Sequence, residues 1–441
     1  MDTQTAIMTL GRTEPPSSTV AAALNTLDGE ITPEDLYAIL SRSKVTRLAH
    51  AALDGHTGSA WADRLRELLA DEVRQDDAWQ ADAAPKMREV VAAVEEFGGR
   101  IIKGLCAQSV YPRPELRHLG DVDVQFPQWA AARPLVDWLR ERDWVYDTDE
   151  MPWLKWHDNG SLYGQVSLVY PDNENPYARV DLHIGSFSVG HAGLLPLVGW
   201  RAGTALGLPA TVPSVETSIA ITAAHALCDQ MLSVKDVNDL HALVSHTTPD
   251  WVSVSELCRS VRAEGALARV VNAVRQAYPE STAVLPPDLG EETGLELTPP
   301  GAEARAEAFA SLAYEDERAR GAGEAAATAL ADSARRYFSA DLSPRVADPD
   351  GGAAPGDPGR DRCWRLVPRE VWEPLAGTGT GTGAAAPAEV TSTELATGIT
   401  LFGAPNAWAV RYGNDVLVPT VWGGISRESL ALARRLTAGP A

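Results

Sequence analysis

The sequence predicts an α+β protein: a mixed β-sheet flanked by helices, with an N-terminal helical segment before it and a C-terminal α/β region after it. Three observations carry that reading. Between residues 100 and 184, short segments with apolar residues at every second position alternate with segments whose apolar residues recur every three or four. On both sides of that stretch the helical spacing dominates. The chain has 441 residues, which at about 100 to 200 residues per domain is too long for one minimal core and suggests two or three domains.

Each element has a local cause. Thr32-Pro33-Glu34-Asp35 has an N-cap residue, a proline at the first helical position and acids in the first turn, so it opens a helix running to about Leu53. A second helix is expected over Ala60–Ala78 and a third from Pro85, where Met87, Val90, Val91 and Val94 form one apolar stripe until Gly98-Gly99 stops it. Residues 100–104 read as a short buried strand, and Leu105 to Tyr111 as a brief helix. Asp121 to Phe126 alternates with period two and predicts a strand; residues 127–142 carry Leu135, Trp138 and Leu139 on one helical face. Further strands are expected near Val145, over Tyr163–Tyr170 and over Arg179–Ile184, the last two separated by a turn-rich tract at 171–176. Helices follow over Val215–Leu232 and from the capping sequence Ser233-Val234-Lys235-Asp236 to about Val244.

More helix is expected to about Ala277 and over Ala302–Tyr337. Residues 346–395 are rich in Gly, Pro, Ala and Thr and read as a linker or mobile excursion, because such a tract buries too little apolar surface to offset its ordering entropy. A hairpin of Ala407–Tyr412 and Val416–Val421, then a helix over Arg427–Leu436, end the chain. The expected division is therefore 1–84 (helical), 85–247 (sheet and helices), 248–345 (helical), 346–395 (linker) and 396–441 (hairpin plus helix).

Composition narrows the function. A chain that is 45% apolar and 22% charged is neither disordered throughout nor a rod. Thirty-eight basic against 60 acidic residues leave a net charge of −22, which repels phosphate backbones and anionic headgroups, so general nucleic-acid or membrane-surface binding is not expected. A small anionic ligand needs only a local positive patch or a bridging cation. The first twenty residues lack a secretory pattern, and the longest mainly apolar stretch, 218–228, is far short of the ~20 residues of a membrane span. Cysteines 106, 228, 258 and 363 form no C-x-x-C pair, which reads as reduced thiols in a cytoplasm rather than a disulfide or zinc framework.

The chemistry concentrates in Lys103-Gly104, Tyr111-Pro112, Arg117 and Gly120-Asp121-Val122-Asp123-Val124. In a strand, residues two apart share a face, so Asp121 and Asp123 project together while Val122 and Val124 face the core. By the same parity Asp181 shares a face with Arg179 and His183, and becomes a third carboxylate if its strand lies beside the first. Crowded carboxylates raise one another's pKa unless a cation sits between them. Their hard oxygens suit Mg²⁺, or Mn²⁺ in its place, and a metal pair ~3.5 to 4 Å apart can stabilise the entering and leaving oxygens of phosphoryl or nucleotidyl transfer. Gly104, before a short helix, would let a phosphate approach; Lys103 and Arg117 are candidate phosphate or leaving-group contacts. Lys103 at a strand end and Arg117 as a brace for Asp121 are the structural alternatives. His183 is read as supporting the ligands rather than joining them. Lys235, Asp236 and Asp239 share one helical face, for which a solvated charged surface is favoured, and Trp153, Trp156 and His157 suggest an aromatic pocket wall.

The order Lys103-Gly104, Tyr111-Pro112, Arg117, Gly120-Asp121-Val122-Asp123-Val124 and Asp181-Leu182-His183 resembles the nucleotidyltransferase superfamily, specifically an uncharacterised bacterial nucleotidyltransferase-like family, from about residue 89 to 243. The resemblance implies a nucleotidyltransferase-like sheet, with Asp121, Asp123 and Asp181 as metal-binding and catalytic residues. It implies nucleotide binding near Lys103, Gly104, Arg117 and Gly120, and transfer of a nucleoside monophosphate from an NTP such as ATP to a hydroxyl or phosphate of a small molecule or peptide. Where other branches carry Gly-Ser, this chain has Lys103-Gly104-Leu105, so glycosyl transfer from a nucleotide sugar is a second reading, and non-catalytic nucleotide or peptide binding a third.

Overall fold

The computed structural model describes residues 1–56, 59–147, 153–156, 162–171, 176–188, 194–319, 321–337, 345–346, 365–377, 389–396, 398–404, 407–420 and 424–438. It is α+β, with a mixed sheet and flanking helices as the sequence predicts. The chain separates into two units: Met1–Glu96, Arg100–Asp123 and Gly193–Gly301 form one, and Phe97–Gly99, Val124–Ala192 and Ala302–Ala441 the other.

In the first unit the N-terminal lead-in is itself helical. Thr3–Leu10, capped by Asp2, buries Ile7, Met8 and Leu10, and Ser17–Leu27 buries Val20, Ala23 and Leu27. Thr32 caps the next helix as expected, its side chain accepting from the Asp35 amide with Pro33 at the first position. That helix ends at Arg42 rather than near Leu53: Lys44 turns the chain at a left-handed φ of 55°, and a separate helix covers Thr46–Ala52. Conversely, the two helices expected around residues 60–96 are one, Ala60–Glu96, with Pro85 inside it. A proline there removes a backbone hydrogen bond, but Leu65, Leu69, Ala83, Met87, Val90 and Val94 are buried on both sides of it. Burial of that stripe offsets the local defect.

A strand at Arg100–Ile101 and a five-residue helix, Gly104–Gln108, follow. An unforeseen hairpin, Arg201–Ala205 with Leu208–Val212, places its second strand against the long helix. Helices Val215–Asp229, Val234–Ser245, Trp251–Arg259 and Glu264–Ala277 complete this unit's main elements, with Ser214, Ser233 and Asp250 as side-chain caps on the first three.

The second unit is organised on a sheet. From the end of the strand Val122–Phe126 it runs through Pro176–Ile184, Leu162–Pro171, Trp153–Trp156, Arg365–Val367, Asp415–Thr420, Ala407–Tyr412, Ile399–Ala404 and Thr391–Ala396, while Val145–Tyr146 also pairs with Leu162–Pro171. The 162–171 and 176–184 strands are antiparallel, with Ser167 opposite Asp181 and Gln165 opposite His183. Helices Trp129–Arg140, Arg369–Gly377 and Arg427–Thr437 accompany the sheet, and Ala302–Ala319 packs on Glu324–Tyr337. Within the tract read as linker, 365–367, 369–377 and 391–396 are strand, helix and strand. Leu366, Val367 and Trp372 supply the buried apolar surface that its overall composition conceals. Most of its remaining residues, including 378–383 of the Gly-Thr run, lie outside the described residues.

Candidate functional site

The strand parity read from the sequence holds. Val122 and Val124 are fully buried in the core, Asp123 is 3% exposed and Asp121 is half-buried. The Ile102 amide donates to the Asp123 carbonyl at 3.0 Å, which ties the end of Arg100–Ile101 to the Asp-x-Asp strand and sets Lys103 beside it. Lys103 has a φ of 53°, a conformation costing an L-residue about 1–3 kcal/mol, and its Nζ donates to Asp123 Oδ1 at 2.7 Å. The strained backbone aims an ammonium at the carboxylate.

Arg117 does not brace Asp121 through a hydrogen bond of its own; its strong partner is Asp239. Nε donates to Oδ1 at 2.9 Å and Nη2 to Oδ2 at 2.8 Å, and the Tyr111 hydroxyl adds a 2.6 Å bond to Oδ1. Burial disfavours the guanidinium charge, but Asp239 more than offsets it and raises the Arg117 pKa. Burial, then the Asp239 charge, pushes the Tyr111 hydroxyl well up. Gly104 serves this arrangement, since a Cβ there would stand 3.1 Å from Arg117 Nη1.

Lys235, Asp236 and Asp239 are not a solvated face. Asp236 and Asp239 are 2% and 6% exposed, and the Lys235 side chain 16%. The lead-in and the end of the Pro33–Arg42 helix cover this one: Asn238 Nδ2 donates to the Gly11 carbonyl at 2.7 Å, and Ser233 Oγ to the Ser43 carbonyl at 3.4 Å. Burial raises the Asp236 pKa, yet Lys235 at 3.3 Å and His225 outweigh it and hold the carboxyl below its usual range. Its Oδ2 is buried without a hydrogen-bond partner, 3.7 Å from His225 Nδ1.

These groups line a cavity within the first unit. Lys103, Gly104, Arg117, Gly120, Asp121 and Asp123 form part of its wall; Lys44, His118, Thr222, His225, Lys235, Asp236 and Asp239 are among the others. Four cations and four carboxylates face one space. Lys44, His118 and His225 were missed at the sequence level. The only local mark on Lys44 is the positive φ that the fold imposes, and His118 carries none.

Asp181, in the second unit, is 5% exposed and accepts from Ser167 Oγ at 2.6 Å and Arg179 Nε at 2.9 Å, both on Oδ1. His183 is buried, its ring 5.4 Å from that of Phe187. Asp121, Asp123 and Asp181 are carboxylates that could hold a metal ion. An all-oxygen donor set fits a hard divalent cation, and softer metals that prefer thiolate or imidazole fit it less well. His157 and the side chains of Trp153 and Trp156, expected as an aromatic wall, lie outside the described residues.

The model of the uncharacterised nucleotidyltransferase family matches residues 29–279, more than half of the chain, and the protein belongs to that family. Among solved structures, the chain is similar to an antigenic nucleotidyltransferase-like protein from Paracoccidioides brasiliensis at 10% identity, with 48% of this chain and 96% of that one covered and a TM-score of 0.29. No curated protein matches it. Among the described residues no helix is long and apolar enough to cross a membrane.

Proposed function

We propose that the protein is a Mg²⁺-dependent nucleotidyltransferase that moves a nucleoside monophosphate from an NTP, ATP among them, to a hydroxyl or phosphate of a small molecule or peptide. The observation that carries the reading is the Asp121-x-Asp123 pair opening into a cavity that also holds Lys44, Lys103, Arg117 and Lys235. A chain of net charge −22 admits a polyanionic nucleotide only where such cations converge. The reaction is placed in the cytoplasm, where NTPs and Mg²⁺ are plentiful.

Asp121, Asp123 and Asp181 hold the metal, which when bound neutralises phosphate charge and polarises the reacting phosphorus. The acceptor oxygen bonds to the α-phosphorus, the bond from that phosphorus to the bridging oxygen breaks, and pyrophosphate leaves. Asp181 takes the acceptor proton: among the described residues its hydrogen bonds from Ser167 and Arg179 both end on Oδ1, so Oδ2 is the oxygen assigned this task. Lys103 fixes the rotamer of Asp123. Arg117, held by Asp239, and Gly104 and Gly120, which add no side chain to the cavity wall, shape the nucleotide-binding side. His183 supports the carboxylates from behind.

Incubation of the protein with Mg²⁺, each NTP and pooled small-molecule or peptide acceptors, with pyrophosphate release and product mass as readouts, tests this. Because general-base catalysis contributes roughly 10² to 10⁴ in rate, Asp181→Asn should lose that much turnover while still binding nucleotide. Equal turnover in Asp181→Asn and wild type would overturn its role. Product mass showing sugar transfer from nucleotide sugars, and none from NTPs, would overturn the donor.

A further inference from the structure

We propose that Lys44 and His118 form a subsite for the β- and γ-phosphates of the donor, at the Gly120 edge of the cavity. The inference rests on the nucleotide reading above for the identity of the donor and adds residues that the Asp-x-Asp motif does not reach.

The first ground is charge pairing. Lys103, Arg117 and Lys235 each have a carboxylate oxygen at 2.7, 2.8 and 3.3 Å. Lys44 has none within 4.0 Å among the described residues. Although part of Lys44 is open to solvent, its ammonium end stands among like charges. Desolvation lowers its pKa, with Asp121 opposing and Lys235, Lys103 and Arg117 adding to the shift. A cation so placed gains most from an incoming anion.

Geometry gives the second ground. His118 Nδ1 lies 3.2 Å from Asp76 Oδ1, and the ring stacks on Trp79 at 14° between planes. Asp76 is 9% exposed and is itself held by Arg47 Nε. With Nδ1 committed, Nε2 is the ring atom left for a ligand. Nε2 lies 3.7 Å from where a Gly120 Cβ would stand, and Lys44 Nζ is at the same distance from that point. Gly120 therefore leaves a space between an ammonium and an imidazole nitrogen, next to Asp121. Terminal phosphates in that space would lie beside Asp121.

Calorimetric titration of the full-length protein with inorganic tripolyphosphate, ATP and AMP, each with Mg²⁺, tests the subsite. Lys44→Gln should weaken tripolyphosphate and ATP about tenfold, as expected for one charge-assisted contact, and leave AMP unchanged; Lys44→Arg should recover most of the loss. His118→Ala should weaken the same two ligands, which keeps the test decisive if Lys44→Gln melts at a lower temperature than wild type. Unchanged affinities, or equal loss for AMP and ATP, would overturn the subsite while leaving the nucleotidyl reading in place. Tripolyphosphate binding that depends on Lys44, in a protein that transfers nothing from any NTP, would support the subsite and overturn the reading. A wild type that binds none of the three would overturn both.

Discussion

Replacing Asp239 by Asn changes one oxygen to an N–H₂ and leaves the Arg117 guanidinium charged at 5% exposure. The wild-type carboxylate accepts three bonds, from Arg117 Nε, Arg117 Nη2 and the Tyr111 hydroxyl. An asparagine oxygen can keep those on one side, but on the other a donor then faces a donor. Removing one partner of a buried pair costs about 3–5 kcal/mol, most of it the penalty of an uncompensated charge. For a unit of this size that is a fall of about 6–20 °C in Tm. Urea denaturation at pH 7, followed by tryptophan fluorescence, should show the midpoint falling with little change in slope. Arg117→Met with Asp239→Leu should recover most of the loss, because an apolar pair of similar volume removes both charges together. A single variant within about 1 kcal/mol of wild type would refute the view that this pair is a buried strut of the cavity wall. So would a double variant as unstable as the sum of its parts.

Two further outcomes follow from the same unit. His241 stacks on Tyr278 at 3.6 Å between ring centroids, and burial lowers its pKa to about 4, with Glu280 opposing and Arg12 and His246 adding. The unfolded chain therefore binds this proton more readily, so the stabilisation is present above pH ~6.5 and is lost as pH falls from there towards 4. His241→Phe should flatten that limb of the stability curve, and an unchanged slope would refute the assignment. Gly104→Ala should destabilise by about 1–2 kcal/mol, because the new Cβ meets an Arg117 Nη1 that Asp239 holds too firmly to move aside; equal or higher stability by urea titration would count against that packing.

The local signals in the chain were sufficient for what depends on neighbouring residues. The caps at Thr32 and Ser233, the period-two alternation of 121–126, the 162–171 and 176–184 strands and the hairpin around 413–415 all follow from side chains within a few positions of one another. The facing of Asp121 and Asp123 follows in the same way, because strand parity is a property of two peptide units. Pro85 misled for the complementary reason: a local rule predicts a break, and burial contributed by distant segments overrides it.

The partners in the cavity wall were decided only when the chain folded. Arg117 finds Asp239 122 positions away, and His118 finds Asp76 on a helix that ends before the motif begins. Lys235 and Asp236 look like surface charges until residues 1–45 pack over their helix. A charge's free energy depends on the solvent removed from it and the opposite charge brought to it, and both are set by segments that sequence adjacency does not record. The motif identified the carboxylates; tertiary packing determined which cations surround them.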